Sequence, residues 1–385
     1  MGNRLAVNFA GLELANPFIL ASATPGWDGR HLAAAAKAGA AAVIPKTIGP
    51  PASWAAHPRN GRLALARAGK ARIGMINLEL FTTKGQEEWL ESELAVAKEG
   101  GATIIASILA NPDPKDTARL ARRVEASGYA SMLELNVSCP MPASTVGMHI
   151  GKDPAKTRAQ VLAVKQACRL PLSVKLTPNV SDIGLVAQAC REAGADALTV
   201  TNSVRAFAGV DIYTRRPRLR AFGGYTGPAI KPIIQRLVIE VGQACSLPIS
   251  AIGGIASWQD AVEYIMLGAT TVQLGTAVMW QGYEIFSRLV RGLEEFMIQQ
   301  GYSCLDELRG KALPYVTTTE ALAREPRKVA RVDDERCTAC GQCVRSCFYD
   351  ALSLTERLRT DSDQCDGCGL CVLLCPVGAL EMVEP

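Results

Sequence analysis

A recurring alternation of helical stretches and apolar runs extends through the first 310 residues of the chain. Helical stretches such as the one before Ala38-Gly39-Ala40 end in a small residue and glycine, and an apolar run follows. Glycine just past a helix adopts the left-handed conformation that ends it, so the run that follows enters a strand. The runs are short and continuously apolar, which is typical of a sheet buried on both faces. The pattern predicts eight strands: Phe18–Ser22, Ala41–Lys46, Thr103–Leu109, Met132–Asn136, Leu172–Leu176, Ala197–Asn202, Pro248–Ile252 and Thr271–Gly275.

Eight βα units before residue 310 predict a (β/α)8 TIM barrel, a fold of the α/β class. An open doubly wound sheet is the competing architecture for the same pattern. A further apolar run, Ile73–Leu80, falls between the second and third strands, and we assign it to an inserted loop. The apolar periodicity fades over residues 311–330, which we interpret as a linker. The predicted domains are therefore a barrel over residues 1–310 and a separate compact domain over residues 331–385.

Composition and charge narrow the classes of function. The 385 residues carry 41 Lys and Arg against 37 Asp and Glu, a net charge of +4, and 5% of them are aromatic. These values do not fit a nucleic-acid surface, which needs a basic patch and stacking side chains. No apolar stretch reaches the roughly 18 residues of a membrane span, and the N-terminal sequence lacks an apolar signal core. We therefore expect a cytoplasmic protein that binds neither nucleic acid nor a membrane.

The spacing of the cysteines predicts the chemistry of the C-terminal domain. Eight of the 13 cysteines lie between Cys337 and Cys375, in two copies of C-x2-C-x2-C-x3-C. This is the spacing of ferredoxin-like domains with two [4Fe–4S] clusters, in which the fourth cysteine of each motif ligates the other cluster. The first cluster is thus assigned to Cys337, Cys340, Cys343 and Cys375, and the second to Cys347, Cys365, Cys368 and Cys371.

Two alternatives compete with electron transfer through these cysteines. Zinc also binds C-x2-C pairs, but the doubled spacing of eight cysteines disfavours it. A purely structural cluster pair is the second alternative, although two adjacent clusters usually transfer electrons. Phe348 stands where the first motif usually has proline, which is a small departure. The other five cysteines are scattered, which favours a reducing cytoplasm over a disulfide framework.

Polar residues at the ends of several predicted strands indicate a site at one end of the barrel. Lys46 ends the second predicted strand, and Lys175 lies in the fifth. Gly253-Gly254 follows strand seven, and Gly275-Thr276 follows strand eight. The loops after these two strands are where barrels hold phosphate, on backbone N–H groups and a helix N-terminus. The pattern therefore favours a phosphate-bearing cofactor with both lysines beside it.

Longer motifs around these residues resemble the FMN barrels of dihydroorotate and dihydropyrimidine dehydrogenases. The resemblance extends from about residue 4 to residue 310. With the ferredoxin-like domain, the chain is similar to the FMN/iron–sulfur subunits of bacterial NAD-dependent dihydropyrimidine dehydrogenases. Ile76-Asn77-Leu78-Glu79-Leu80 favours that branch, whereas Thr214-Arg215-Arg216-Pro217 resembles two-subunit dihydroorotate dehydrogenases. The resemblance is carried by Asn16-Pro17 with Ala21-Ser22-Ala23, Lys46-Thr47, Asn136-Val-Ser-Cys139-Pro140, Lys175-Leu-Thr-Pro-Asn179, Thr201-Asn202-Ser203, Gly223-Gly224-Tyr-Thr-Gly227-Pro-Ala-Ile-Lys-Pro232 and Gly253-Gly254.

The resemblance implies a role for each matching residue. Cys139 would be the general acid and base, on a loop just past a strand, with an ordinary buried thiol as the alternative reading. Lys175 would stabilise negative charge on the reduced flavin. The residues implied in binding FMN are Ala21, Ser22, Lys46, Thr47, Asn136, Lys175, Ser203, Gly224, Gly253, Gly254, Gly275 and Thr276. Those implied in binding substrate are Asn77, Glu79, Asn136, Ser138, Asn202 and Ser203.

The implied reaction is oxidation of a CH–CH bond, or reduction of a C=C bond, beside a carbonyl in a dihydropyrimidine-like ring. Electrons would pass through the two [4Fe–4S] clusters to or from a partner. The chain has no G-x-G-x-x-G between a strand and a helix, so we expect no dinucleotide site of that type. The expected partner is an NAD(P)-binding flavoprotein subunit or a ferredoxin-type electron donor. We also expect a homo-oligomer formed through the barrel.

The substrate is the least determined part of this interpretation. Met141 stands where the family has Asn or His, which disfavours a fully polar ring. Dihydroorotate is the second candidate substrate, although Met141 and Asn77-Leu78-Glu79 argue against it. A larger or CoA-linked unsaturated compound is the third, and Met141 would suit it. An electron-relay subunit without chemistry of its own is the non-enzyme alternative. The presence of Cys139, Lys175 and Asn136 disfavours that last reading.

Overall fold

The N-terminal unit, Met1–Pro314, begins with an antiparallel hairpin of β1 (Val7–Phe9) and β2 (Leu12–Leu14). The structure is a computed structural model, and it describes residues 3–49, 61–139 and 147–385 of the chain. After the hairpin, eight short parallel strands are buried along almost their whole length. They are β3 (Phe18–Leu20), β4 (Ala42–Val43), β7 (Ile105–Leu109), β8 (Met132–Asn136), β9 (Leu172–Lys175), β10 (Ala197–Val200), β15 (Ile249–Ile252) and β16 (Thr271–Leu274).

These eight strands form a barrel rather than an open sheet. Their order is β4-β3-β16-β15-β10-β9-β8-β7. The two end strands are joined as well, because Val43 and Ile48 bridge to Ile104 and Ile108 in parallel register. The N–H of Ile48 donates to the carbonyl of Ser107 at 2.8 Å. The predicted TIM-barrel fold is confirmed, since an open doubly wound sheet would leave both edges unpaired.

Helices cover the outside of the barrel, and most begin at a side-chain cap. Asp28, Asp113, Asp153, Asp182 and Ser257 each accept backbone N–H groups at a helix start, as residues at this position do. Gly39 and Gly194, which follow helices, have φ of 108° and 88°, as predicted for residues that end a helix. The helices are α1 (Gly29–Lys37), α2 (Gln86–Glu88), α3 (Leu94–Glu99), α4 (Pro114–Ser127), α5 (Met148–Gly151), α6 (Pro154–Ala167), α7 (Ile183–Glu192), α8 (Lys231–Ala244), α9 (Trp258–Met266), α10 (Thr276–Gln281) and α11 (Ile285–Gln299).

A small antiparallel sheet is inserted between barrel elements. Its strands are β5 (Leu63–Ala68), β6 (Ala71–Asn77), β11 (Val204–Ala206) and β14 (Gly223–Thr226), in the order β11-β14-β6-β5. The run Ile73–Leu80, expected in a loop, therefore contributes a strand that ends at Asn77. A two-residue pair, β12 (Val210–Asp211) with β13 (Arg216–Pro217), extends from the same insertion. The register sets Asn77 opposite Gly224 and so joins two segments far apart in sequence.

The C-terminal unit, Tyr315–Pro385, has its own small core. A short helix α12 (Thr319–Leu322) precedes β17 (Val329–Val332), which pairs with the last strand β20 (Leu380–Val383). Between them, β18 (Leu352–Leu354) pairs with β19 (Leu358–Thr360). Helices α13 (Gln342–Arg345) and α14 (Leu370–Leu374) each lie inside one cysteine motif. Within the described ranges, none of the helices has the length and apolar character needed to cross a bilayer.

Asp260 joins the starts of α8 and α9 beside the loop that contains Gly253-Gly254. Its carboxylate accepts the N–H of Ser257 at 2.9 Å and lies 2.6 Å from the ammonium of Lys231. Burial alone would raise the pKa of Asp260, but bonds from Lys231, Ala256 and Ser257 hold it below its usual range. A carboxylate whose pKa is lower in the folded chain than in the unfolded chain stabilises the fold at pH values above its unfolded pKa of about 3.9. This stabilisation is lost as the pH falls and the carboxylate is protonated.

We expect Asp260→Asn to lower the free energy of unfolding at pH 7 by about 1–2 kcal/mol. The same change should flatten the loss of stability below about pH 4, because the variant has no carboxylate to protonate. Urea unfolding at several pH values measures both effects. Glu263→Gln is the control, since this half-exposed partner of Lys231 should matter little. If the stability of Asp260→Asn fell as steeply at acidic pH as that of the unmodified protein, Asp260 would not be the source of this pH dependence.

Candidate active site and cluster sites

The carboxyl ends of the barrel strands surround a cavity of about 1130 Å³, its open mouth included. Its wall combines residues from seven of the eight strands or the loops after them with residues of the inserted sheet. Most residues that the sequence implied as binding FMN or substrate line this cavity. They are Ala21, Ser22, Lys46, Thr47, Asn77, Glu79, Asn136, Cys139, Lys175, Asn202, Ser203, Gly253, Gly254, Gly275 and Thr276.

Two residues implied as ligand contacts lie behind this wall instead. Ser138 is fully buried and does not line the cavity. Gly224 does not line it either, and a Cβ at this position would lie 2.1 Å from the Oγ of Ser203. Its carbonyl accepts the side-chain amide of Asn77 at 3.0 Å. Ser138 and Gly224 thus hold other side chains of the wall, and direct contacts of these two residues with a ligand stay a prediction.

Asn136 and Asn202 are held at fixed orientations by Ser138. The amide of Asn136 donates to the hydroxyl of Thr47 at 2.9 Å, and its Oδ1 accepts both the N–H and the hydroxyl of Ser138. The amide of Asn202 donates to the Oγ of Ser138 at 3.0 Å. Because buried polar groups in such a network hold each other in place, the two amides are oriented before any ligand binds.

Lys46 and Glu79 form a buried ion pair in the cavity wall. The ammonium of Lys46 lies 3.2 Å from Glu79, and the guanidinium of Arg62 lies 3.2 Å from the other carboxylate oxygen. The Lys46 and Glu79 side chains are only 6% and 7% exposed. Burial lowers the pKa of Lys46, although the neighbouring Glu79 carboxylate opposes this. The carboxylate therefore shares the same part of the wall with two cations.

Lys175 is the second cation of the cavity and has a carboxylate behind it. Its ammonium lies 3.5 Å from Glu134, which is fully buried in β8. Glu134 accepts hydrogen bonds from Thr199 and Gln273, and Gln273 also lines the cavity. Bonded polar side chains thus extend from the cavity floor into the interior of the barrel.

The loops after β15 and β16 have the features of a phosphate site. Gly253 and Gly254 have φ of 141° and 79°, and a Cβ on Gly254 would lie 2.6 Å from the Cβ of Lys231. The hydroxyl of Tyr264 donates to the carbonyl of Gly253 at 2.6 Å and fixes the turn. Burial raises the pKa of this Tyr264 hydroxyl. Thr276, the first residue of α10, completes this end of the cavity.

Cys139 lies where the cavity meets the inserted segment. Its side chain is 5% exposed, lines the cavity and packs in a small cluster with Phe81 and Leu109. Its carbonyl accepts the N–H of Met148 at 2.9 Å, which fixes the start of α5. Met141, on which the substrate argument rests, lies outside the described residues.

The eight motif cysteines surround two separate cavities in the C-terminal unit. Cys337, Cys340, Cys343 and Cys375 line one, with an empty volume of about 370 Å³. The other cavity, of about 350 Å³, is lined by Cys347, Cys365, Cys368 and Cys371. In each set, three cysteines come from one motif and the fourth comes from the other motif. These are the two groups that the crossed spacing predicts.

Backbone N–H groups surround one of these thiols, that of Cys375. Among the described residues, no three His, Cys, Asp or Glu side chains converge on a point that could hold a metal ion. The N–H of Ala379 donates to the Sγ of Cys375 at 3.2 Å. This bond and the neighbouring N–H groups of Val377 and Gly378 lower the pKa of Cys375.

The profile of one protein family, described as dihydroorotate dehydrogenase, matches residues 4–297. The chain belongs to the dihydroorotate dehydrogenase family. In this member, a second profile, described as a 4Fe-4S dicluster domain, matches residues 318–382. The barrel and the iron–sulfur domain together make it an oxidoreductase of the class that acts on CH–CH groups.

Relatives of this dihydroorotate dehydrogenase family member fall into two groups. The catalytic subunit of dihydroorotate dehydrogenase B (NAD(+)) from Methanothermobacter thermautotrophicus is 41% identical over 309 residues, 80% of this chain and 98% of that protein. Its counterpart from Pyrococcus abyssi is 38% identical over 311 residues, 80% of this chain and 99% of that protein. The NAD-dependent dihydropyrimidine dehydrogenase subunit PreA of Escherichia coli K12 is 32% identical over 367 residues, 92% of this chain and 89% of that protein. Only an alignment that enters the cluster domain can cover 92% of the chain.

Several residues of this family member's site were not identified from the sequence. Gln273 lines the cavity, Glu134 lies behind Lys175, and Tyr264 fixes the Gly253 turn. Glu134 and Gln273 could have been found, because each is a polar residue in the middle of a continuously apolar strand. Tyr264 carries no such signal, since an aromatic residue on an amphipathic helix is usually part of the core.

Crossed ligation can be tested with paired substitutions. We expect Cys347→Ala with Cys365→Ala to remove one cluster and leave about four of roughly eight iron atoms. Cys337→Ala with Cys347→Ala should damage both clusters, because each loses one ligand. Iron and acid-labile sulfide analysis of the anaerobically purified chain measures the difference. If the Cys337 and Cys347 pair left one cluster intact, each motif would hold its own cluster.

Proposed function

We propose that the chain is the catalytic subunit of a dihydropyrimidine dehydrogenase. It would interconvert a dihydropyrimidine and the pyrimidine with a C5–C6 double bond, using FMN and two [4Fe–4S] clusters. The observation that carries the proposal is the Glu79 carboxylate in the cavity wall, bonded to Lys46 and Arg62. The alignment with PreA over 92% of the chain supports the same substrate class.

Glu79 favours a neutral ring over an anionic one. A neutral pyrimidine has ring N–H donors, which a carboxylate can accept. Dihydroorotate carries a carboxylate of its own, which would need a cation beside it. Lys46 would attract such an anion, but its ammonium is already paired with Glu79 at 3.2 Å. Because Lys46 and Arg62 outweigh Glu79 by one charge, the support for uracil-like substrates comes from the carboxylate as an acceptor of ring N–H bonds.

The residues of the cavity fit FMN. Gly253, Gly254, Gly275 and Thr276 would hold the phosphate at the loops after the last two strands, where barrels bind it. The close approach of Lys231 to Gly254 leaves no room for a side chain there, as expected where backbone N–H groups must face a ligand. Lys175 would hold the negative charge that the ring system gains. When bound, FMN supplies hydride transfer.

The amide side chains would orient the substrate ring. Asn136 and Asn202 are fixed through Ser138, and Asn77 is fixed by its bond to the carbonyl of Gly224. Each amide offers a donor and an acceptor, which matches the alternating N–H and C=O groups of a pyrimidine edge. Preorganised donors of this kind cost no reorganisation during the reaction.

Cys139 would move the proton. During oxidation its thiolate would take a proton from the ring carbon next to the carbonyl, and during reduction the thiol would return it. Its 5% exposure and the packing of Phe81 and Leu109 exclude water from that side of the cavity. Excluding water in this way strengthens electrostatic interactions at the reacting atoms.

The clusters would connect this chemistry to a partner. Two adjacent clusters suit one-electron transfer, and the chain has no G-x-G-x-x-G dinucleotide motif. We therefore propose a separate NAD(P)-binding flavoprotein subunit, or a ferredoxin-type donor, as the electron partner. We also propose that the chain forms a homo-oligomer through the barrel. The five scattered cysteines outside the two motifs suggest a reducing cytoplasm as its location.

Dihydroorotate oxidation is the second candidate function. The 41% identity to a dihydroorotate dehydrogenase B catalytic subunit favours it. That relative is matched over 98% of its length within only 80% of this chain, so the similarity is that of the barrel. A larger or CoA-linked unsaturated substrate would be favoured mainly by Met141, which lies outside the described residues.

We expect Cys139→Ala to lower turnover of a dihydropyrimidine by about 10²–10⁴-fold, the usual contribution of a general acid or base. FMN content should stay unchanged, because the thiol is not needed to hold the cofactor. Cys139→Ser should recover part of the rate toward high pH in the oxidation direction. Cys168→Ala removes another buried thiol, outside the cavity, and should leave turnover unchanged. Full turnover by Cys139→Ala would remove this residue from the mechanism.

The choice between the two substrates can be tested at Glu79. We expect the oxidised protein to bind uracil more tightly than orotate, as measured by perturbation of the flavin spectrum. Glu79→Gln should weaken uracil and strengthen orotate by about tenfold each, which corresponds to about 1.4 kcal/mol per ligand. Glu91→Gln, an exposed carboxylate, is the matched control. Tighter binding of orotate than of uracil by the unmodified chain would favour dihydroorotate dehydrogenase.

A further inference from the structure

A carboxylate with no contact with solvent lies behind the floor of the active-site cavity. Glu134 is 0% exposed in the middle of β8, and its neighbours Leu133 and Leu135 are equally buried. It does not line the cavity, whereas Lys175 and Gln273 do. We propose that Glu134 is a positioning residue that holds and counterbalances Lys175 and thereby lowers the reduction potential of the bound flavin. The inference rests on the proposed function, because it requires FMN in the cavity.

One oxygen of Glu134 is fixed by hydrogen bonds from two other barrel strands, β10 and β16. Its Oε2 accepts the hydroxyl of Thr199 at 3.0 Å and the amide of Gln273 at 3.2 Å. Thr199 is bonded in turn to Ser173 at 3.0 Å, and Gln273 donates to Ser250 at 3.1 Å. Such a chain of bonds determines which way the carboxylate faces.

The other oxygen faces Lys175. Oε1 lies 3.5 Å from the ammonium and accepts no hydrogen bond from the described residues. Lys175 is 3% exposed at the end of β9, so both charges are shielded from water. A buried charge is tolerated when an opposite charge is close to it. The geometry therefore makes Glu134 the buried partner of Lys175.

This arrangement has a definite effect on a flavin in the cavity. A flavin gains negative charge on reduction, and the positive Lys175 stabilises that charge. Glu134 lies behind the ammonium and offsets part of its field, because the two charges are opposite and only 3.5 Å apart. Removing the negative charge should make FMN easier to reduce. A residue that only filled space in the barrel would leave the potential unchanged.

The test is the midpoint potential of FMN in the full-length holoprotein, measured by anaerobic spectroelectrochemistry. We expect Glu134→Gln to shift the two-electron equilibrium at least tenfold toward reduced FMN, a positive shift of about 30 mV or more. Affinity for oxidised FMN should change less than the potential does. Asp196→Asn is the matched control, since its carboxylate pairs with Lys165 at 2.6 Å just before β10. It should leave the potential unchanged.

A second background tests whether Glu134 acts through Lys175. In Lys175→Met, there is no ammonium whose field the carboxylate could offset. Adding Glu134→Gln there should produce no further shift. An equal shift in both backgrounds, or no shift in the single variant, would overturn the proposal. If Glu134→Gln does not yield folded holoprotein, Glu134→Asp is used in its place. This variant should shift the potential in the same direction by a smaller factor. An unchanged potential in Glu134→Asp would again contradict the proposal.

The same measurement separates this proposal from the one on which it rests. An unmodified protein that contains no FMN would refute the proposed cofactor. An unmodified protein with FMN at full occupancy, together with a Glu134→Gln variant of identical potential, would refute only the role of Glu134.

Discussion

Closure of eight parallel strands into one barrel is the constraint on which the rest of the N-terminal unit depends. Closure brings the carboxyl ends of all strands to one rim, so residues as distant in sequence as Ser22 and Gly253 line one cavity. It also encloses the strands on both sides, which makes every polar residue inside the barrel costly unless it is bonded. Glu134, Thr199 and Gln273 meet this condition in part by bonding to one another, and the remaining oxygen of Glu134 faces the ammonium of Lys175.

The two units obey different physical rules. In the barrel, the position of a side chain follows from long-range strand pairing, as when Asn77 meets Gly224 across 147 residues of sequence. In the C-terminal unit, the spacing within each cysteine motif sets three ligands at once, and the pairing of β17 with β20 closes the chain ends around them. The proposed proton transfer at Cys139 and the proposed electron transfer at the clusters would thus be controlled by separate parts of one chain.

The sequence predicted the barrel because glycine-terminated helices and apolar runs are local signals, and it located the strand-end lysines for the same reason. The predicted strands Ala41–Lys46 and Ala197–Asn202 are longer than the observed ones, because the ends of these runs leave the sheet to face the cavity. Ser138 was implied as a substrate contact, which stays a prediction. The structure places it two residues past β8, fully buried and bonded to Asn136 and Asn202. The partner of Lys175 depends on pairing of β8 with β9, which no local pattern reveals.

Anaerobic reoxidation of the reduced protein tests the central claim most directly. Photoreduced holoprotein is mixed without a partner with uracil or with orotate, and flavin and iron–sulfur absorbance are followed together. The account predicts that uracil restores the oxidised flavin spectrum and that the cluster absorbance follows, because both cofactors then share electrons within one chain. Orotate should act far more slowly. Rapid reoxidation by orotate with none by uracil would contradict the account.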